Sequence, residues 1–242
     1  MQKKMSDIKY SDAINIAASI VNSKAFSDIK NCNSGKSVVL CGSGPSLSKY
    51  EPIKGAVHVA LNSTFIKENI KFDWIVVCDY GSIEKYKDRL CNYNCIKFFG
   101  HQIPDLSLEI PESYRIKCGA RRFYTDSHIA DGFSSRYVCD IDCMPVGNMP
   151  NIALLAMQII LFSNPSKIYL AGCDASSLGH FNDKKQSGID KKNIYVDADY
   201  IMNKWIELKS FSETFYPDTE IISINPVGLK GLFKDEYTDI CN

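Results

Sequence analysis

Short apolar runs without strict alternation recur along the chain, and small or polar residues follow most of them. An uninterrupted apolar run is typical of a strand that is buried on both faces, as in a parallel sheet. On this basis six strands are predicted, at Ser37–Cys41, Val57–Leu61, Trp74–Cys78, Cys95–Phe99, Lys167–Ala171 and Glu220–Ile224.

Apolar residues at helical spacing occur before the first predicted strand and between several of the later ones. It predicts helices over Asp12–Lys30, Asn151–Phe162 and Val196–Thr214. Pro150 suits the start of the second helix, because a proline gives up no helical hydrogen bond there. Strands that alternate with helices indicate an α/β fold with a mainly parallel sheet. We therefore expect one Rossmann-like domain over residues 36–242, preceded by a helical extension over residues 1–35.

The segment 100–145 shows neither pattern and contains three prolines. A connection of that length is usually a lid or binding segment, or it hides short elements. We expect it to form a long irregular insertion or lid. Its cationic residues are candidates either for phosphate recognition or for a solvated, ion-paired face; they are Arg115, Lys117, Arg121, Arg122 and Arg136.

Composition and charge narrow the class of protein. Hydrophobic residues make up 45% and charged residues 23% of the 242 residues, which excludes a disordered chain and a collagen-like or coiled-coil repeat. Lys and Arg number 28, as do Asp and Glu, so the formal net charge is zero. Without a global basic field, we expect no nucleic-acid partner.

The length of the apolar stretches and the cysteine content indicate the cellular compartment of the protein. The longest apolar stretch, Ile152–Phe162, is far shorter than the ~20 residues that span a bilayer, and Met1–Tyr10 lacks an apolar signal core. We therefore expect a cytoplasmic protein without a transmembrane segment. Its ten cysteines, such as Cys41 and Cys173 beside predicted strands, are expected to be reduced and buried. Cys91 and Cys95 have no histidine at ligand spacing, so no metal site is predicted.

Candidate chemistry follows from the rule that ligands of open α/β sheets bind beyond the carboxyl ends of the strands. Five predicted strands end in small or hydrogen-bonding groups. These are Gly42-Ser43-Gly44-Pro45-Ser46-Leu47, Asn62-Ser63-Thr64, Asp79-Tyr80-Gly81-Ser82, Gly172-Cys173-Asp174 and Asn225-Pro226. Their convergence at one edge of the sheet predicts a ligand site there.

The glycine-rich loop after the first strand is the most specific of these groups. Glycines let backbone N–H groups approach a phosphate or ribose, and Ser43 and Ser46 add hydroxyl donors. The loop is neither a Walker A motif nor a G-x-G-x-x-G dinucleotide fingerprint. Its alternative is a plain tight turn. Asp79 and Asp174 are candidates for binding ribose, a base or a divalent metal, with a helix N-cap as the alternative.

His180 is the histidine best placed to act as a base. It lies in a polar loop after the fifth predicted strand, and an imidazole exchanges protons near neutral pH. A solvated loop histidine is the alternative. His58 falls inside an apolar strand and is expected to be structural.

Two longer motifs resemble the bacterial family-42 sialyltransferases. The run V-V-L-C-G-S-G-P-S-L at residues 38–47 resembles their first strand and loop, and residues 147–174 resemble their second signature, in which a helix and strand end in G-x-D. I-N-P-V-G-L at residues 224–229 is similar to their C-terminal strand and turn. The first two signatures also occur in the motility-accessory-factor proteins and in an archaeal pterin diphosphokinase branch.

The resemblance implies a modified Rossmann-like fold with a lid. It also implies inverting transfer of sialic acid or another nonulosonic acid from a CMP-linked donor to a glycan or glycoprotein acceptor, as in lipopolysaccharide or capsule biosynthesis. No metal or other cofactor is implied. By motif position, the residues that meet the nucleotide or donor are Gly42, Ser43, Gly44, Pro45, Ser46, Asn62, Asp79, Gly147, Asn148 and Asp174.

The chain departs from the sialyltransferases after the G-x-D motif. Their phosphate-binding tyrosines are missing there, and residues 184–199 contain no histidine to match their base. We expect His180 to take that role, as in the motility-factor branch. Two alternatives stay open: a diphosphokinase-like enzyme on ATP and a pterin, with Mg²⁺ on Asp79 and Asp174, and a non-catalytic nucleotide-binding relative. A homo-oligomer and peripheral contact with the inner face of the membrane also stay open.

Overall fold

The computed structural model describes residues 10–103, 110–126, 136–175 and 198–238. The strands are β1 Ser37–Cys41, β2 Val57–Leu61, β3 Trp74–Val77, β4 Ile96–Ile103, β5 Arg121–Asp126, β6 Val146–Gly147, β7 Lys167–Ala171, β8 Glu220–Ile224 and β9 Lys234–Glu236. The α-helices are α1 Tyr10–Phe26, α2 Tyr80–Ile83, α3 Lys87–Asn92, α4 Glu112–Lys117, α5 Ile152–Phe162 and α6 Ala198–Phe215. Short 3-10 helices cover Pro45–Lys49, Asn62–Ile66 and Glu84–Tyr86.

The described strands form a single nine-stranded sheet in the order β6-β5-β4-β3-β2-β1-β7-β8-β9. Every neighbouring pair is parallel. The α/β fold class predicted from the sequence is therefore confirmed. After β1 the chain adds strands on one side, and after β6 it returns to place β7 against the other side of β1. The switch point of the topology, where a parallel sheet commonly binds ligands, lies between β1 and β7.

Both faces of the sheet are covered, and this explains the apolar runs. Val38 and Leu40 point into a core layer that includes buried residues of α1, α5 and α6. Val39 and Cys41 point into the opposite layer, which includes buried residues of the short helices. Every residue of α5 after Ile152 is buried. Successive residues of a strand face opposite layers. When both layers are apolar, every position of the strand is apolar, and apolar and polar residues do not alternate.

The segment 100–145 is more regular than the sequence predicts. Where it is described, it completes β4, forms α4 and adds β5 to the same sheet, and β6 follows directly after it. The prediction missed β5 because its sequence, R-R-F-Y-T-D, contains only two buried residues. The side chain of Asn22, on α1, covers part of its outer edge: it accepts from the N–H of Tyr124 at 2.7 Å and donates to the carbonyl of Met144 at 2.8 Å.

Most of the cationic residues of this segment are engaged in ion pairs away from the carboxyl edge of the sheet. Arg121 opens β5 at its amino end and pairs with Asp28. Arg115 and Arg122 both pair with Glu112. For these three arginines the structure supports the ion-paired face, and phosphate recognition at the predicted site is not their role. Among the described residues, no helix is both long and apolar enough to cross a membrane. The division into residues 1–35 and 36–242 stays a prediction.

Candidate functional site

Two loops leave the sheet side by side at the switch point, and they are joined by backbone hydrogen bonds. The N–H of Gly42, after β1, donates to the carbonyl of Ala171 at 2.8 Å. The N–H of Gly44 donates to the carbonyl of Gly172, after β7, at 2.8 Å. The first loop therefore continues the ladder between β1 and β7 beyond the ends of the strands.

The glycines are needed because the two loops approach each other closely. A Cβ added to Gly42 would lie 2.4 Å from the carbonyl oxygen of Gly172, and one added to Gly44 would lie 2.4 Å from Oδ2 of Asp174. Gly172 itself has φ +66°, and a Cβ there would lie 2.6 Å from the carbonyl oxygen of Gly42. Neither loop could carry a side chain at these positions without moving.

Asp174 fixes the far end of the first loop. Its side chain is buried, at 5% relative exposure, and accepts a hydrogen bond from the Ser46 N–H at 2.9 Å. The Ser46 hydroxyl donates to its other oxygen. Pro45 begins the 3-10 helix Pro45–Lys49, so the carboxylate satisfies an N–H in the first turn of that helix. The aspartate acts as a cap supplied from another loop.

These contacts change the interpretation of the glycine-rich loop. The sequence predicts that its N–H groups face a ligand phosphate. Instead the amides of Gly42, Gly44 and Ser46 donate to Ala171, Gly172 and Asp174, as described above, and Pro45 has no N–H to offer. A ligand at this loop must be recognised mainly by side chains, carbonyl oxygens and shape.

A third loop, after β8, packs on the same turn; the sequence prediction placed its Asn225-Pro226 at this edge but did not name Gly228 as a site residue. The N–H of Gly228 donates to the carbonyl of Asp174 at 2.7 Å. A Cβ on Gly228 would lie 2.5 Å from the carbonyl oxygen of Ala175. The I-N-P-V-G-L motif contains this glycine, but nothing in its spacing reveals the loop that it touches. Gly172 and Gly228 thus belong to the site's framework together with the predicted residues.

Asn62 and Asp79 lie farther along the carboxyl edge. Asn62 has φ +46°, and its Oδ1 accepts from the N–H of Cys78 at 3.3 Å, which joins the ends of β2 and β3. Its Nδ2 donates no hydrogen bond to the described residues. Asp79 is exposed and is the N-cap of α2, where Oδ1 accepts from the N–H of Gly81 at 2.9 Å. Asp79 is therefore a helix N-cap, which is the alternative given for it in the sequence analysis.

Gly147 and Asn148 are not brought to the switch point by the sheet. Gly147 ends β6, which is five strand spacings from β1, or about 24 Å along the sheet. The buried side chain of Gln158 accepts from its N–H at 3.0 Å and donates to its carbonyl at 2.9 Å. Asn148 donates its N–H to the carbonyl of Asp126 at 3.2 Å. The structure gives Gly147 a structural partner, and its contact with a donor stays a prediction.

Thiols at the ends of three strands add no charge to this edge. Burial raises the pKa of Cys78 and of Cys173 to about 12, and it raises that of Cys41 well above its usual range. These thiols are therefore neutral near neutral pH. His58 is also structural: its Nε2 lies 2.9 Å from the hydroxyl of Tyr50, and burial lowers its pKa.

The described residues contain no group of three or more His, Cys, Asp or Glu that could hold a metal ion. Asp79 and Asp174 follow β3 and β7, which are three strand spacings apart, or roughly 14 Å. Ligands of one Mg²⁺ at about 2.1 Å lie within about 4.2 Å of each other. The two aspartates therefore do not form a shared magnesium site in this arrangement. His180 lies outside the described residues.

Comparisons with known proteins give matches among solved structures. No model of a protein family and no curated protein matches the chain. The monofunctional alpha-2,3-sialyltransferase Cst-I from Campylobacter jejuni matches with a TM-score of 0.50 at 12% identity, over 78% of this chain and 75% of that one. A variant of the sialyltransferase CstII in complex with CMP matches with a TM-score of 0.50 at 13% identity, over 78% and 81%. CstII also comes from Campylobacter jejuni. At these identities the likeness shows a common fold.

Proposed function

We propose that this protein is a glycosyltransferase that moves a sugar from a CMP-activated donor to a glycan or glycoprotein acceptor. The observation that carries the proposal is the joined turn at the switch point, where Asp174 holds Ser46. It lies in a fold shared with two sialyltransferases, one of them solved with CMP. The donor sugar that fits the sequence motifs is sialic acid or another nonulosonic acid.

The nucleotide is expected to lie along the carboxyl edge from β1 to β3. One wall of the nucleotide site would be the glycine-rich loop, Gly42, Ser43, Gly44, Pro45 and Ser46. This loop would contact the nucleotide by its shape, because most of its amides are already bonded within the protein. Asn62 offers a direct donor, since its Nδ2 is not used by the described residues. Asp79, exposed at the end of β3, would accept from a ribose hydroxyl. Asp174 would act through Ser46, and contacts from Gly147 and Asn148 remain part of the prediction.

The proposed reaction is a direct displacement with inversion. An acceptor hydroxyl attacks the anomeric carbon, the bond from that carbon to the phosphate oxygen breaks, and CMP leaves. A base removes the proton of the hydroxyl during the attack. We assign this role to His180 on the sequence motif. Donors that face the departing phosphate would offset its charge.

The diphosphokinase alternative is less well supported. It needs Mg²⁺ on Asp79 and Asp174, and these residues follow strands that are three spacings apart. Asp174 is also occupied by two hydrogen bonds from Ser46. No specific observation favours a non-catalytic relative over an enzyme.

A thermal-shift series with CMP, CDP, UDP, GDP and ATP, each with and without Mg²⁺, tests the proposal. A ligand at 100 times its dissociation constant stabilises the folded state by about 2.7 kcal/mol. For a chain of this size that raises the melting temperature by on the order of 5–10 °C. We expect the rise with CMP and without metal. If ATP with Mg²⁺ is the only combination that raises the melting temperature, the proposal is contradicted and the diphosphokinase alternative is favoured.

A matched pair of variants locates the nucleotide. Asn62→Gly removes the side chain from a residue with φ +46° without backbone strain, and Asn164→Gly does the same at φ +57° before β7, at the opposite edge. We expect Asn62→Gly to lose most of the rise in melting temperature that CMP causes, and Asn164→Gly to retain that rise. Release of CMP from CMP-sialic acid in the presence of glycan acceptors then measures transfer directly.

A further inference from the structure

A cleft opens at the outer edge of β5, between α1 on one face of the sheet and α4 on the other. Its volume is about 420 Å³, which is within the range of pockets that hold small molecules. Among the described strands, β6 pairs with β5 only at Thr125 and Asp126, so residues 121–124 have no strand on their outer side. The cleft therefore lies at the amino half of an open edge strand.

The side chains that line the cleft carry a surplus of positive charge. Four of the described lining residues are cationic: Lys24, Arg115, Arg121 and Arg122. Glu112 is the only acidic residue among them. Asp28, which is outside the lining, pairs with Arg121. Four positive charges thus meet two negative charges, and a cleft with this balance favours an anionic ligand.

The contacts of Glu112 show what two of these arginines recognise. Arg115 donates to both of its carboxylate oxygens, from Nε at 2.8 Å and from Nη2 at 2.7 Å. Arg122 donates to one of the same oxygens. Guanidinium groups bind the oxygens of a carboxylate and of a phosphate in the same way. Since the side chain of Glu112 is exposed, a ligand anion can replace it on the two arginines at little cost.

Lys24 adds a cation that makes no ion pair with a described residue. It lies in the last turn of α1 and is exposed, so its ammonium is open to a ligand. Neutral side chains, among them Val21, Ala25 and Tyr124, line other parts of the cleft. A few charged groups beside a neutral wall are typical of sites for small polar molecules. The volume of the cleft exceeds that of a phosphate group alone, so the ligand should carry a neutral body as well.

We propose that this cleft binds a phosphomonoester of about the size of a sugar phosphate, with its phosphate on Arg115, Arg122 and Lys24. The cleft is separate from the proposed nucleotide site. β5 lies four strand spacings from β1, or about 19 Å along the sheet, and the cleft is at the amino half of β5. A ligand in the cleft and CMP therefore bind independently, and the inference does not rest on the proposed function.

Isothermal titration calorimetry of the full chain at fixed ionic strength tests the proposal. Glucose 6-phosphate is the probe and glucose is the neutral control, and we expect heat of binding from the phosphate alone. Lys24→Gln should weaken the binding roughly tenfold or more, because a charge-assisted hydrogen bond is lost. Lys30→Gln is the matched control, since this lysine follows α1, pairs with Asp140 and does not line the cleft. It should keep the affinity.

A second variant changes the affinity in the opposite direction. Glu112→Gln removes the internal carboxylate from Arg115 and Arg122, so glucose 6-phosphate should bind roughly two- to fivefold more tightly. Its control is Asp88→Asn, which removes a negative charge outside the cleft, where Asp88 pairs with Lys117. That change should leave the affinity as it is. Saturation of the protein with CMP should also leave it unchanged.

Four outcomes would overturn the proposal. The first is the absence of any heat of binding from glucose 6-phosphate. The second is equal weakening by Lys24→Gln and Lys30→Gln, which would indicate a general positive field. The third is a Glu112→Gln variant that binds no more tightly than Asp88→Asn. The fourth is loss of the glucose 6-phosphate heat in the presence of CMP, which would assign the probe to the nucleotide site.

Discussion

The carboxylate of Asp174 accepts two hydrogen bonds from Ser46, one from its backbone N–H at 2.9 Å and one from its hydroxyl. The two residues are 128 positions apart in the chain and meet only because β1 and β7 are neighbours in the sheet. Asp174 is nearly enclosed. Its first role is thus to build the turn at the switch point, and any effect on a ligand is exerted through the shape of that turn.

Replacing this aspartate tests its structural role. Asp174→Asn keeps the size of the side chain but removes the charge and replaces one of the two acceptor oxygens by an NH2 group, so we expect a loss of about 1–2 kcal/mol in unfolding free energy by urea denaturation. The control is Asp235→Asn, because the carboxylate of Asp235 accepts from the N–H of Gly231 at 3.1 Å on an exposed turn. That change should lose less than about 0.5 kcal/mol. Equal losses would contradict the role given to Asp174.

The close approach of the two loops predicts a severe effect at Gly172. Gly172→Ala combines φ +66° with a Cβ that would lie 2.6 Å from the carbonyl oxygen of Gly42. Gly119 has φ +61° with nothing within 4 Å of its added Cβ. We expect Gly119→Ala to lose about 1 kcal/mol from backbone strain alone and Gly172→Ala to lose about 3 kcal/mol or more. If the two variants unfold at the same urea concentration, the loops are farther apart than described.

Four strands could be predicted to the residue. The observed bounds of β1, β2, β7 and β8 match their predicted ranges, because most residues of each strand are buried and apolar. β5 could not be predicted in this way. Only two of its six residues are buried, so its sequence contains no apolar run.

The site was predictable in position but not in its contacts. The strand-end rule identifies the loops at Gly42 and Asp174, and both lie at the switch point. The sequence does not reveal that the loop amides are bonded across β1 and β7, since such pairing depends on which strands become neighbours. Asp79 shows the same limit: a strand-end aspartate fits a ligand or an N-cap equally well until the fold of the next turn is known.

The partner of Gly147 predicts another stability effect. Gln158 is fully buried and satisfies both backbone polar groups of Gly147, and its Oε1 also accepts from the N–H of Val138 at 3.2 Å. Gln158→Leu leaves these groups without partners inside the core, so we expect a loss of about 2–4 kcal/mol. Met157→Leu, a buried apolar exchange on the same helix, should lose less than about 1.5 kcal/mol. Urea denaturation of both proteins decides whether the amide, rather than helix packing, carries the effect.

The buried histidine predicts how stability depends on pH. The ring nitrogens of His58 lie 2.9 Å from the hydroxyl of Tyr50 and 3.1 Å from the carbonyl of Ala56. Burial lowers the pKa of His58 in the folded protein below its ordinary value of 6.5, which is close to that of the unfolded chain. The unfolded state therefore binds a proton first as the pH falls. The stability that His58 contributes is fully present above pH 6.5 and is lost as the pH falls toward the folded pKa.

The measurement is urea denaturation at pH values from 8 to 5 for the native protein and for His58→Gln, whose amide does not titrate. We expect the native protein to lose more stability than the variant between pH 7 and pH 5, and both to change alike above pH 7. Titration of other groups occurs in both proteins, so the difference between the two curves isolates His58. If the curves stay parallel through pH 5, the imidazole has the same pKa folded and unfolded, and its environment is more open than the buried contact with Tyr50 implies.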